Sequence, residues 1–284
     1  MKSPYKHIAF IGLGLIGGSL AKLIRKNFPE TKLYAIATKK DTISFAVSEG
    51  IVDNGSTEID LLPADVDLIF VCTPISKIAG YVNSLSVNLA QELTITDIGS
   101  IKSDVCDEVF LTKSQHLFIP GHPMAGNEKL GIRNSEEDLL KKAPYILVPQ
   151  ENPKYETFKA FISNLDFKVI ELSPKKHDEI TCIASHFPYL MACLTVSATE
   201  NIPDKNQDSL KEIISSGFRD TTRVASCSSD WGAEVIVANK ENMLEAIMVT
   251  KRNLEYIEKL INNNDTTKLQ RLFENIKKLR KRLT

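Results

Sequence analysis

The sequence predicts an α/β half, built on a doubly wound and mostly parallel sheet, followed by an all-helical half. Three observations carry this expectation. A short apolar run, Ile8–Ile11, leads straight into Gly12-x-Gly14-x-x-Gly17 and then into helically spaced residues from Leu20 to Lys26. Between residues 33 and 172, short apolar runs alternate with helical patterns. From Ser173-Pro174 onward only helical spacing recurs, so the expected domains are 1–172 and 173–284.

Composition narrows the class. A chain of 284 residues with 43% apolar residues, 25% charged residues and a net charge of −1 has the balance of a soluble globular protein, with core enough for one large or two ordinary domains. Nucleic acid is not the expected partner. The basic end KKLRKRLT reads as a last helical turn whose cations the helix dipole favours, rather than as a patch for an anionic partner. Cys72, Cys106, Cys182, Cys193 and Cys227 are odd in number and lack CxxC spacing, so neither a disulfide framework nor a metal site is expected, and a reducing cytoplasm suits them. No apolar run reaches the roughly 18 residues of a membrane span, and MKSPYKHIAF lacks the apolar centre of a signal peptide.

The first strand, glycine turn and helix form a dinucleotide-binding unit of Rossmann type, for a nicotinamide or flavin nucleotide. Gly12 permits the turn, Gly14 lets backbone approach a pyrophosphate, and Gly17 brings the helix close to the strand. Leu15 and Ile16, between those glycines, belong to the same expected cofactor site. Leu33–Ala37 is the second strand, and Asp41 is the expected N-cap of a helix through Glu49. Position 37, where an NAD site commonly places an acid for the ribose 2′-OH, is Ala, and Thr38, Lys39 and Lys40 follow. A hydroxyl and two cations suit a 2′-phosphate, which favours NADP over NAD; the alternative is that both lysines are solvated and Asp41 swings in to serve NAD.

Asp67–Cys72 is a continuous apolar run of the kind a doubly buried parallel strand shows, ending in Thr73-Pro74 as cap and first helical residue. Cys72, Thr73 and Pro74 therefore fall at the carboxyl edge of the sheet, beside the cofactor. Leu93–Thr96 and Leu117–Pro120 are further strands, each running into a polar turn, and Tyr145–Val148, a helix opened by Asn152-Pro153 and Phe167–Leu172 complete the alternation. Helical stretches are expected over 174–200, 207–217, 232–262 and 266–282, with a turn at Asn262–Asp265. Their apolar faces, including Met243, Leu244, Ile247, Leu254 and Ile257, suggest either a homodimer or an internal core.

His122 follows a strand at the expected cofactor edge, where a neutral imidazole suits a general base; a hydrogen-bonded loop histidine is the structural alternative. Ser100 follows the previous strand and reads as the N-cap of a helix from Ile101, a role compatible with facing a substrate. Arg223 lies in a polar, glycine-containing stretch, Ser216–Arg223, where a planar guanidinium suits a carboxylate; residue type alone does not separate it from Arg219, and a solvated surface arginine is the alternative.

Six stretches taken together, GLGLIGGS (12 to 19), CTP (72 to 74), TDIGSIK (96 to 102), GHPMAGNEKLG (121 to 131), SHFP (185 to 188) and SSGFRDTTR (215 to 223), resemble the prephenate/arogenate dehydrogenases of tyrosine biosynthesis. The resemblance runs in order through nearly the whole chain. It implies a nucleotide-binding domain, a helical dimerisation domain and oxidative decarboxylation of a cyclohexadienol. The histidine matching His122 accepts the ring hydroxyl's proton as hydride leaves for the nicotinamide. The serine matching Ser100 orients that hydroxyl, and the arginine matching Arg223 binds a substrate carboxylate. His186 and Tyr189 match substrate-side positions; many prephenate-preferring members carry a second histidine where this chain has Tyr189. Ala143–Tyr145 and the SSGFRDT run look closest to NADP-using, arogenate-preferring members. Trp231 resembles a family tryptophan but stands one residue closer to Arg223, so no role transfers to it. The chain ends soon after the helical region, leaving no place within it for a chorismate mutase fusion or a regulatory domain.

Two other classes fit parts of the pattern. A β-hydroxyacid or imine reductase shares the glycine turn and helical region but relies on a helical-region lysine that has no match here. A redox sensor would bind NADP without turnover.

Overall fold

The structure is a computed structural model and describes residues 2–88, 93–112 and 116–283. β1 (His7–Ile11) precedes the glycine turn and α1 (Leu15–Asn27) follows it. The alternation continues through β2 (Lys32–Ile36), α2 (Lys40–Ser48), β3 (Asn54–Ser56), β4 (Leu68–Val71), α3 (Ile75–Asn88), β5 (Thr94–Asp97), α4 (Ser103–Phe110) and β6 (Leu117–Ile119). These strands form one parallel sheet in the order β3-β2-β1-β4-β5-β6, so the winding reverses at β1 and the glycine turn stands at the switch point. Period-two alternation assigns the faces: Ile8 and Phe10 join the core with Leu20, Ile24 and Phe158, whereas Ala9 and Ile11 join Ile78, Val82 and Val105. All four residues of β4 are buried, as its unbroken apolar run requires.

The last strands of the α/β half do not extend that sheet. β7 (Gly121–Pro123), β8 (Pro144–Leu147) and β9 (Lys168–Glu171) form a second sheet, with β7 antiparallel and β9 parallel to β8. Pro120, lacking an N–H for the ladder, divides β6 from β7 and lets the chain change sheets. Between β8 and β9 runs α5 (Pro153–Asn164), whose expected cap is present: the Asn152 side chain accepts from Lys154 N at 2.9 Å.

Three expected helix starts shift. Lys39 occupies the cap position of α2 and Asp41 its first turn. α3 begins at Ile75, and the Thr73 hydroxyl donates to the Pro74 carbonyl at 3.4 Å instead of capping. α4 begins at Ser103, three residues after Ser100, because its first N–H groups are satisfied by a distant carboxylate, that of Asp178.

Ser173 caps α6 (Pro174–Thr181), which passes through a π turn (Cys182–His186) into α7 (Phe187–Ser197). α8 (Gln207–Ile213), α9 (Ser216–Thr222) and α10 (Ser229–Ala238) follow, and the expected helix over 232–262 is interrupted at Asn239. The first compact unit, Met1–Asn239, includes everything to this point. Among the described residues the run Pro174–Asn201 is long and apolar enough to cross a membrane by length and composition, which the sequence reading had not found because His186 and Tyr189 interrupt its strictly apolar stretches. His177, Asp178 and His186 within it are buried and hydrogen-bonded to the rest of the unit, whereas Ile183 and Leu194 are exposed.

The second unit, Lys240–Thr284, consists of α11 (Lys240–Asn262) and α12 (Thr266–Leu283), joined by a turn with Asn264 at φ 53°. Arg280, Lys281 and Arg282 occupy the last turn of α12, as the dipole argument requires; Thr284 lies outside the described residues. Leu254, Ile261, Phe273, Ile276 and Leu279 remain exposed on this unit.

Candidate active site

The carboxyl ends of β1, β4 and β5 converge on the glycine turn. Gly12 has φ +89°, and a Cβ there would fall 2.5 Å from the Cys72 carbonyl oxygen. At Gly17 a Cβ would meet the Gly12 carbonyl oxygen at 2.8 Å and Cys72 Cβ at 3.0 Å, so helix and strand pack only because both positions lack side chains. Gly14, by contrast, faces open space with no heavy atom within 4 Å of the missing Cβ. No acidic residue stands in the first turn of α1 and no side chain caps it, so Leu15 and Ile16 present free N–H groups beside that opening. This cradle fits a dinucleotide pyrophosphate. Cys72, Thr73 and Pro74 lie at its side, and Thr38, Lys39 and Lys40 are exposed just past the end of β2.

One carboxylate fastens the next layer. Asp97, fully buried at the end of β5, accepts from Gly99 N at 2.8 Å, Gly121 N at 3.1 Å and Lys102 Nζ at 2.5 Å. Ser100 stands one residue beyond Gly99 and His122 one beyond Gly121, so the same carboxylate locates both candidate catalytic residues.

The His122 ring is held by a chain of buried partners. His122 Nδ1 lies 2.8 Å from His177 Nε2, and His177 Nδ1 lies 2.7 Å from Asp178 Oδ1. Asp178 also accepts from Lys102 N and Ser103 N, each at 2.8 Å. A carboxylate only accepts, so neutral His177 donates from Nδ1 and presents the lone pair of Nε2. His122 must then donate from Nδ1, which leaves the lone pair on its Nε2.

Electrostatics keep these rings neutral. Burial holds His122 well below the ordinary imidazole value of 6.5, with His177, Lys102 and His186 acting in the same direction. His177 is also lowered, chiefly by burial, against the pull of Asp178. Burial alone would raise the Asp178 carboxyl, but hydrogen bonds from His177, Ser103 and Lys102 bring it below its ordinary value.

A second set of contacts closes the ring of residues. The Asn239 amide donates to the Asp178 carbonyl oxygen at 2.8 Å, so the same nitrogen, 3.2 Å from His186 Nδ1, donates there too. His186 stacks edge-on to Trp231 at 6.4 Å, and Trp231 Nε1 donates to Ser100 Oγ at 3.4 Å. An indole only donates, so the Ser100 hydroxyl keeps its own proton for another acceptor. Tyr189 meets the Trp231 ring edge-on at 5.5 Å and packs against Gly232, where any side chain would collide with its ring. Its hydroxyl engages Cys193, one turn along α7. His186 is wholly buried, and both it and Tyr189 pack edge-on against the Trp231 ring. Arg223 NH1 lies 3.5 Å from Glu128, on the segment that leaves β7, and its side chain is largely exposed.

The arrangement unites His122, Ser100, His186 and Tyr189 through His177, Asp178, Asn239 and Trp231, none of which the sequence reading placed in the site. Arg223 joins only through Glu128. The adjacent His177-Asp178 pair, at the start of the helical run from Pro174, was the available signal for the missed chain.

A pH dependence follows. Because His122 loses its proton below 6.5, the acid limb of kcat/KM is expected to lie below pH 6.5, with activity level from pH 7.5 to 6.5; a profile falling through 7 would contradict it. Burial also lowers His186 to about 4, so on acidification the unfolded chain binds that proton first. The stability this ring contributes is complete above 6.5 and is lost as pH falls from 6.5 to about 4, which Tm against pH measures.

Comparison with known proteins decides the family. Residues 20–171 match the family model for the prephenate dehydrogenase nucleotide-binding domain, and residues 173–275 match the model for the prephenate dehydrogenase dimerization domain. The chain belongs to the prephenate dehydrogenase family. The prephenate dehydrogenase of Bacillus subtilis (strain 168) is 31% identical over 278 residues, covering 96% of this chain and 75% of the relative. The crystal structure of A. aeolicus prephenate dehydrogenase with hydroxyphenyl propionate and NAD+ has a TM-score of 0.88 at 28% identity, covering 98% of both chains. Synechocystis arogenate dehydrogenase has a TM-score of 0.80 at 29% identity, covering 98% of this chain and 100% of that one. Membership in the prephenate dehydrogenase family places this chain among oxidoreductases with a nicotinamide cofactor and sets aside the reductase alternative.

Proposed function

We propose that the chain oxidatively decarboxylates prephenate, arogenate or both in the cytoplasm, preferring NADP to NAD, as a homodimer of its helical region. The observation that carries the reading is the buried chain His122–His177–Asp178, whose hydrogen bonds support a neutral His122 with the lone pair on Nε2. A bound nicotinamide supplies the hydride acceptor. His122 Nε2 accepts the proton of the substrate ring hydroxyl as the carbon beneath it is oxidised. Ser100, its oxygen already holding Trp231, donates its free proton to orient that hydroxyl. Arg223, only loosely engaged by Glu128, has donors to spare for the substrate carboxylate. Departure of the ring carboxyl group as CO₂ then leaves an aromatic ring, and aromatisation drives the sequence forward.

The division of labour follows the expected regions, with residues 1–172 binding cofactor and 173–284 closing over substrate and pairing with a second copy. Exposed Leu254, Ile261, Phe273, Ile276 and Leu279 support such pairing. NADP is supported by Ala37 and by the Thr38-Lys39-Lys40 run, which offers a hydroxyl and two cations where an acid would repel a phosphate. Steady-state rates with both acids, each against NAD and NADP, test the reading. Turnover of at least one acid with CO₂ release and a higher kcat/KM for NADP is expected; no turnover of either acid would refute it.

A further inference from the structure

The loop carrying Arg133 is fastened to the first two turns of α1. Ile132 and Ser135 are buried; a Cβ at Gly18 would meet Ser135 at 2.9 Å and Ile132 at 3.1 Å. Lys22 Nζ donates to the Ser135 carbonyl oxygen at 2.5 Å, and Glu136 N donates to Ser19 Oγ at 3.0 Å. From this anchored turn Arg133 reaches across to α2. Its guanidinium lies 4.3 Å over the Phe45 ring and donates from NH2 to both Asp41 oxygens, at 3.1 and 3.3 Å. A planar cation is thus set beside the turn bearing Lys39 and Lys40, although Arg133 lies more than ninety residues away in sequence. It holds the one carboxylate in that stretch, Asp41, which alone could serve a ribose hydroxyl or repel a phosphate.

We infer that Arg133 is a cofactor-specificity residue, whose guanidinium exchanges the Asp41 carboxylate for the 2′-phosphate of an NADP-type dinucleotide while the Phe45 ring keeps it in place. The inference rests on the NADP preference proposed above. Guanidinium suits the task because its five donors address two acceptors in one plane, and a dianionic phosphate outbids an exposed carboxylate for them. Asp41 then acts as a placeholder that keeps the cation oriented in the free protein.

Calorimetric binding of NADP+ and NAD+ to the full chain separates the two ideas. Arg133→Gln is expected to weaken NADP+ by about 10-fold or more and to leave NAD+ within about twofold, the loss expected of one charge-assisted hydrogen-bonded partner. Asp41→Asn is expected to tighten NADP+ and leave NAD+ unchanged. Equal weakening of both nucleotides by Arg133→Gln, or weakening of neither, would overturn the inference while leaving the NADP preference standing. Weaker NAD+ binding by Asp41→Asn would likewise overturn it, since Asp41 would then serve the ribose. A wild-type chain that binds NAD+ as tightly as NADP+ would remove the preference and the inference together.

Discussion

Replacing His122 with Asn is expected to lower kcat by about 10²- to 10⁴-fold, the usual worth of a positioned general base, with dinucleotide Kd changed by no more than about twofold. Asn is close in size to the near half of the imidazole and can keep a donor toward His177, so the neighbours that bury the ring stay in place. What disappears is the lone pair of Nε2, the ring nitrogen that His177 does not engage. Because the cradle at Gly12, Gly14 and Gly17 is built without His122, nucleotide titration reports an intact fold beside the lost chemistry. A variant that keeps more than about a tenth of the wild-type kcat would remove His122 from the proton transfer.

Asp97→Ala is expected to cost about 3–5 kcal/mol, since it leaves the Lys102 ammonium buried with one partner, the Ile101 carbonyl oxygen at 3.1 Å, and orphans the N–H groups of Gly99 and Gly121. Lys102 is 1% exposed, so water does not replace the lost carboxylate without opening the core. A fall in Tm of roughly 10 °C corresponds to that loss in a unit of this size. Activity should fall with it, because Ser100 and His122 take their positions from residues tied to Asp97. A Tm within about 2 °C of wild type would show that the pair contributes little beyond what its own burial costs.

How much of this was legible in the sequence depended on whether the information was local. The glycine turn and the strand at 68–71 could be read because doubly buried parallel strands require unbroken apolar runs, and Asn152 could be read as opening its helix because a cap binds its own helix. β3 escaped because Asn-Gly-Ser carries no strand pattern; it pairs only because β2 offers an edge. The second sheet escaped because the direction of pairing between β7 and β8 is a tertiary property. Ser100 looked like a helix cap only while Asp178, 75 and 76 residues beyond the N–H groups it accepts from, was out of view. The same remoteness hid the main feature of the site. His177 and Asp178 read as a polar patch on a helix, and only the packing of α6 against α4 makes them the support of His122. Trp231 matched a family position imperfectly by spacing, yet the fold brings its indole to Ser100.

The central claim is that Asp178 and His177 fix the free lone pair of His122 on Nε2. Nitrogen-15 NMR of the histidine-labelled chain at neutral pH, with the His122 signals assigned by comparison with His122→Asn, tests it most directly. The account predicts a neutral ring with its proton on Nδ1 and none on Nε2; a proton on Nε2, or a charged imidazolium at pH 7, would contradict it.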